Sequence, residues 1–169
     1  MSNLVLVNER DEEISTGDAV ECHRGSGRLH RAFTIFLFNS SNKLLIQKRS
    51  KQKLLWPLFW ESSCSSHPLP GEGYLESGEK RLKQELGIGC KLALKAKFQY
   101  FAKYKDIGSE NEVSALLIGE YDGKVRPSVE EVESWKRTDL EEIRLDTITN
   151  PTRYAPWLVC ALKCYDGEE

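Results

Sequence analysis

The chain has 169 residues, 40% hydrophobic and 30% charged, enough for one ordinary domain with a real core. A formal net charge of −2 excludes the global basic field that would argue for nucleic acid, so any anion-gripping charge is local. The apolar runs are far too short to span a bilayer, and the N-terminus lacks the basic-then-apolar pattern of a secretory leader.

In chain order, residues 4–7 read as a short edge or opening strand. Runs 32–38 and 43–48 are β-rich and flank Asn39-Ser40-Ser41-Asn42, a hairpin signal. Residues 59–63 suggest another short strand, and 68–73, with two prolines and two glycines, a loop. The spacing predicts a helix over 76–86 that stops at Gly87, with Gly78 as a weak point inside it. Strands are expected at 91–104, its partner 112–121, and 132–136, followed by helices at 139–148 and 152–164. Such an order, with strands mostly in hairpins, predicts one α/β (α+β) domain over residues 1–169. The five cysteines, Cys22, Cys64, Cys90, Cys160 and Cys164, are an odd set without scaffold spacing, which predicts a reduced, cytoplasmic setting. Cys160 and Cys164, four apart on an expected helix, read as buried core thiols.

Three histidines are present: His23 and His30 before and at the first hydrophobic strand, and His67 at the mouth of the Pro/Gly loop. Glu110 and Glu112, two apart on a strand, face the same way. Three imidazoles with these carboxylates suit a divalent ion such as Mn²⁺, Zn²⁺ or Mg²⁺, although each residue singly reads as a satisfied or solvated group. A second cluster is basic: Lys48, Arg49, Lys51 and Lys53 after a strand, and Lys80, Arg81 and Lys83 on the helix. It is either a solvated positive face or a diphosphate grip, and composition leaves both open.

The strings Arg28-Leu-His-Arg-Ala-Phe33, Trp56-Pro-Leu-Phe-Trp60, Ser66-His67-Pro68, Glu85-Leu-Gly87 and Glu110-Asn-Glu-Val113 fall in order along the chain. In that order and spacing the sequence resembles the type 1 isopentenyl diphosphate isomerases, from about residue 23 to residue 157. The resemblance implies a Nudix-like mixed-sheet sandwich flanked by helices, and a small isoprenoid diphosphate as the partner, with no nucleic acid and no membrane span. It implies a metal site of His23, His30, His67, Glu110 and Glu112, with Glu85 helping to bind Mg²⁺ on the substrate diphosphate. Arg49, Lys53 and Arg81 match phosphate-contacting positions. Tyr100 and Trp157 match aromatic residues that line the pocket, where a ring face stabilises a carbocation. A monomer or weak dimer is expected. Of the Nudix glutamates, Lys80-Arg81-Leu82-Lys83-Gln84-Glu85-Leu86-Gly87 keeps only Glu85, which argues against pyrophosphate hydrolysis.

Two departures stand out. The family moves one proton with the glutamate at Glu112 and another with a cysteine two residues before His67, and here that position is Ser65. Cys64 is adjacent, but neighbours on an extended segment point to opposite faces. A thiol near pKa ~8.5 yields a usable thiolate, whereas a hydroxyl needs a neighbouring base. The other departure is Ala19, where the family tends to carry a lysine for the diphosphate; one lost charged contact costs about 1–3 kcal/mol of binding. Three readings follow: an isomerase slowed by Ser65, in which Ser65 or a water it orients replaces the thiol; an enzyme that starts another reaction of an isoprenoid diphosphate by protonation; and a non-catalytic homologue that binds such a diphosphate.

Overall fold

The structure, a computed structural model, describes residues 2–167. Its central strand is β3 (His30–Phe38), whose residues are almost all buried, the mark of a strand covered on both faces. Phe33, Ile35 and Leu37 pack under helix α2 (Tyr74–Leu86) with Leu82, Leu86 and Ile88. Phe36 and Phe38 point the other way, against Leu158 and Leu162 of α4 (Pro156–Tyr165) and Ile143 of α3 (Leu140–Thr149). The alternation of one strand therefore builds both layers of an α/β/α sandwich.

The sheet is mixed. β1 (Asn3–Val7) pairs with β2 (Glu13–Asp18) and touches β3 at Leu6 and His30. β4 (Leu44–Arg49) pairs antiparallel with β3 at the hairpin and then with β9 (Val132–Thr138). The long hairpin of β7 (Ala93–Tyr104) and β8 (Gly108–Glu120) joins β3 through β8 in a parallel ladder. Strands lie mostly in hairpins, as expected, but this parallel pairing has no local signal: its partners lie some 80 positions apart.

Corrections concern short pieces. Of the strand expected at 59–63 only β5 (Trp60–Glu61) forms, on β4, and a further strand, β6 (Cys64–Ser66), follows on β3 as the chain crosses from one to the other. The helix expected at 152–164 is broken into a 3₁₀ turn, Pro151–Arg153, and α4. Pro156 holds Ala155 extended (φ −65°, ψ 140°) and opens α4 at its first turn. β2 and the one-turn helix α1 (Ala19–Cys22), capped by Asp18, had no sequence signal. Cys160 and Cys164 are half-buried on the flanks of α4, not core residues; the fully buried thiols are Cys22 and Cys64. Among the described residues no helix is long and apolar enough to cross a membrane.

Candidate functional site

Four segments meet where β3 and β8 begin. The segment between His23 and His30 turns through Gly25 (φ 62°) and Gly27 (φ 69°), a left-handed backbone that glycine adopts without strain. A Cβ on Gly27 would also meet the Cys22 carbonyl at 3.3 Å. The turn brings the His23 and His30 rings to 4.8 Å, and His67, after β6, lies 4.9 Å from His30. Parallel register sets His30 beside Glu112, and antiparallel register sets Tyr100 beside Glu112 and Ala102 beside Glu110. Paired residues share a sheet face, so the two glutamates and His30 converge.

His23, His30, His67, Glu110 and Glu112 each offer a ligand atom, all within 4.8 Å of one another. Their hydrogen bonds show that the set fits a cation. His23 Nδ1 lies 2.6 Å from the Ala19 carbonyl, and His30 Nδ1 lies 2.7 Å from that of Arg28. A carbonyl only accepts, so each Nδ1 carries a proton and each ring aims its Nε2 inward, the edge that can serve as a ligand. There His23 Nε2 meets Glu110 Oε2 at 3.0 Å, and His30 Nε2 meets Glu112 Oε1 at 3.4 Å. Among the described residues, neither His30 Nε2 nor Glu110 Oε2 has a hydrogen-bond partner, and both are buried. Three inward ring nitrogens and two carboxylates gathered in one buried space make a donor set that suits a divalent cation.

Beside this group runs a cleft of about 160 Å³. Its lining joins Glu112, Ser65, Tyr100, Phe33 and Trp157 to a basic group of Arg49, Lys53 and Arg81. Of the basic cluster only Arg49, Lys53 and Arg81 reach the cleft, Lys48, Lys51, Lys80 and Lys83 lying outside its lining; the other sequence-derived residues are brought together, except Glu85. Glu85 is 3% exposed and outside the cleft lining; its oxygens accept from Arg81 Nε (2.8 Å) and Gln47 Nε2 (3.0 Å). Its place is beneath the basic group, apart from the His/Glu group.

The chain matches the NUDIX domain over residues 28–158. It is 39% identical over 155 residues to the isopentenyl-diphosphate Delta-isomerase 1 of Aromatoleum aromaticum, covering 92% of this chain and 87% of that protein. The chain belongs to the isopentenyl-diphosphate Delta-isomerase family. The family member of Serratia proteamaculans is 34% identical over 166 residues, 98% of this chain and 92% of that protein. Among solved structures, DR0079 from Deinococcus radiodurans superposes with a TM-score of 0.79 at 19% identity, over 97% of this chain and 99% of that one. A MutT protein from Methanosarcina mazei gives 0.68 at 14%, over 82% and 94%. At such identities the likeness shows the fold alone, and the fold is Nudix.

Relative to the family pattern, the altered position is well defined. Ser65 pairs with Thr34 on the cleft side of β3, while Cys64 pairs with Ile35 and faces the core under α2. Burial, and then Glu85 close to its sulfur, push the Cys64 thiol well above its usual range. Ser62 Oγ donates to the Cys64 carbonyl (3.1 Å) and lies 2.7 Å from Ser65 Oγ. With the Ser62 proton committed, Ser65 donates to Ser62 and turns its lone pairs to the cleft.

Charges in the metal group are strongly perturbed. Burial works against the His23 imidazolium, but Glu110 outweighs it and lifts the ring to about 9. Burial takes His67 down to about 4 against the pull of Glu112. Burial and the neighbouring Glu112 raise Glu110, whereas His30 and His67 hold Glu112 well below the usual carboxylate range in spite of burial. Tyr100, buried and donating to Glu112, is raised far above an ordinary phenol and stays protonated.

Sequence reasoning missed several residues of the site. Glu131 bridges Lys53 and Arg81 Nη2, the latter at 3.1 Å, and Glu61 receives both Arg49 and Trp157. An acid set among aromatic residues in a short strand was a usable signal for Glu61. Glu131, in an ordinary acidic run, gave none.

Proposed function

We propose that this protein interconverts isopentenyl and dimethylallyl diphosphate, with a divalent ion in the His/Glu group and Mg²⁺ accompanying the substrate diphosphate. The observation that carries this reading is the position of Glu112. One oxygen faces His30 and His67 in the ion-fitting group, the other takes the Tyr100 hydroxyl, and the carboxylate lines the cleft that Ser65 lines too. A proton donor and a proton acceptor on one small cleft are what a shift of a double bond requires.

Mn²⁺, Zn²⁺ or Mg²⁺ would be held by His23, His30, His67, Glu110 and Glu112, and when bound supplies positive charge that neutralises the paired carboxylates and sets the proton affinity of Glu112. Glu112 delivers or removes the proton at one carbon. Tyr100, through its hydroxyl, fixes the free oxygen of that carboxylate. Ser65, through its lone pairs, orients a water that takes the proton from the other carbon and passes it to solvent. Trp157 and Tyr100 turn ring faces to the positive charge that develops in between, and with Phe33 they exclude water. Arg49, Lys53 and Arg81, the basic group, hold the diphosphate, Arg by paired N–H groups and Lys as a point charge. The cysteines, all unpaired, suit a cytoplasmic setting.

The test is deuterium incorporation from D₂O into both diphosphate isomers with metal-loaded protein. Exchange into both, with interconversion, is the expected result. Exchange at one carbon only is the second reading, favoured by the acceptor-only posture of Ser65: Glu112 works and the opposite transfer has been lost. Diphosphate binding with no exchange at all would leave a binding protein and sink the isomerase reading.

A further inference from the structure

Among the buried ionisable groups that the proton chemistry above leaves unused, Glu61 touches the cleft's aromatic wall. Glu61, on β5, is 2% exposed and lies behind the cleft wall, outside its lining. One oxygen, Oε2, accepts from Trp157 Nε1 at 2.7 Å and from Arg49 Nη1 at 3.3 Å. The Arg49 guanidinium in turn sits 4.9 Å from the centre of the Trp157 ring. The other two cations of the basic group already have acids of their own, Glu131 for Lys53 and Glu131 with Glu85 for Arg81. Glu61 answers Arg49 directly, and the same oxygen holds the indole N–H.

We propose that Glu61 is a positioning residue whose buried carboxylate charges the Trp157 indole from behind and turns its ring into a receptor for a positively charged reaction centre. This rests on the isomerase reading and deepens it. An anion on an indole N–H pushes electron density onto the ring face, and the face is what a cation feels. In a buried wall that effect is poorly screened, whereas at a surface it would be lost. Glu61 also offsets the Arg49 charge, which would otherwise oppose a cation near the same ring. Backbone geometry keeps the partners in place: Pro156 opens α4, Ala155 N donates to the Trp60 carbonyl at 2.8 Å, and Trp157 follows opposite Glu61.

Charged groups reach Glu61 from every side: Arg49 on β4, Lys53 after it, and Glu85 on α2, with the Trp157 N–H from α4. Burial raises its carboxyl most, Arg49 opposes, Glu85 adds to the rise, and the result is about 7. Glu61 therefore changes charge near neutrality, which makes its influence readable.

Two measurements test the proposal, with Glu61→Gln keeping an acceptor for the indole and removing only the charge. In the first, binding of a five-carbon diphosphate is compared with binding of an analogue bearing a tertiary ammonium at the cationic carbon. Wild type should prefer the ammonium, and Glu61→Gln should lose about ten-fold of that preference while binding the diphosphate with an uncharged tail nearly as well. An undiminished preference overturns the proposal. Wild-type protein that binds neither diphosphate sinks the isomerase reading instead, and the second measurement still decides about Glu61. In ¹⁵N-labelled protein the Trp157 Nε1–H signal, assigned with Trp157→Phe, should shift with a midpoint near pH 7 and stop shifting in Glu61→Gln. A Trp157 signal with the same titration in both proteins overturns the proposal by itself.

Discussion

In the proposed mechanism Ser65 and Glu112 divide the chemistry unequally. Glu112 is held by two histidines and a phenol, while Ser65 has a single hydroxyl neighbour and no base. Restoring a thiol with Ser65→Cys should raise the isomerisation rate ~10²–10⁴-fold, the usual worth of a general acid or base. An unchanged rate in Ser65→Cys would place the limiting step elsewhere. Glu112→Gln should lower deuterium exchange into either isomer by a comparable factor, and exchange that survives it would remove Glu112 from the mechanism. Glu61 carries a pH dependence of stability. Its carboxyl is raised from 4.5 to about 7, so the fold favours the neutral form. The stability this contributes is complete below about pH 4.5 and is lost as pH rises through about 7. Thermal melts of Glu61→Gln, which has no proton to lose there, should therefore gain on wild type across that window. A constant difference between the two melts would contradict the linkage.

Elements decide which side chain reaches the cleft. β6 is three residues long, yet its pairing with β3 settles that Ser65 faces Glu112's side and Cys64 the core. Sliding β6 by one residue to recruit Cys64 would expose that sulfur and bury Ser65 under α2. The helix α2 was legible from its leucines and Gly87, and Gly78 looked like a flaw in it. The structure gives the reason: a Cβ there would meet Leu117 Cδ1 at 2.8 Å and Leu92 Cδ1 at 2.9 Å. Alanine is favoured over glycine in a helix by about 1 kcal/mol, but forcing a methyl into a packed contact costs about 1–3 kcal/mol. Gly78→Ala should therefore lower stability in a denaturant titration. A stabilised variant would mean that α2 lifts off the sheet easily.

At the scale of the molecule the His/Glu group, as the proposed ion site, is a staple. It joins the end of α1, the start of β3, the segment after β6 and the start of β8. An ion present at a thousand times its dissociation constant adds about 4 kcal/mol to stability. At about 2–4 °C per kcal/mol for a chain of this size, a chelator should lower Tm by roughly 10 °C. A His30→Ala variant should show no such response; a chelator effect that persists in it would place the ion elsewhere. Loading the metal-free protein near pH 7 should also release protons, since His23, raised to about 9, must give one up to become a ligand. Calorimetry in buffers of different ionisation enthalpy measures that release, and a metal uptake with no proton release would contradict the assignment of His23.

The sequence alone determined the residue types of this site and their order. Histidine and carboxylate donors, a basic pair of segments, two ring residues and the exchange of a thiol for a hydroxyl are all properties of single positions or short strings. The hairpin of β3 and β4, the helix α2 and the β7–β8 pair were equally legible, since local periodicity and turn residues encode them. Tertiary structure decided what local signals cannot carry. The parallel ladder of β3 and β8 joins His30 to Glu112 across more than 80 positions, and the register of β6 chooses Ser65 over Cys64. The broken last helix sets Trp157 on Glu61, nearly a hundred residues away in the chain. Contacts of that range depend on how sheets and helices pack as wholes, so burial and charge at Glu61, Glu85 and Glu131 became visible only once the chain was folded.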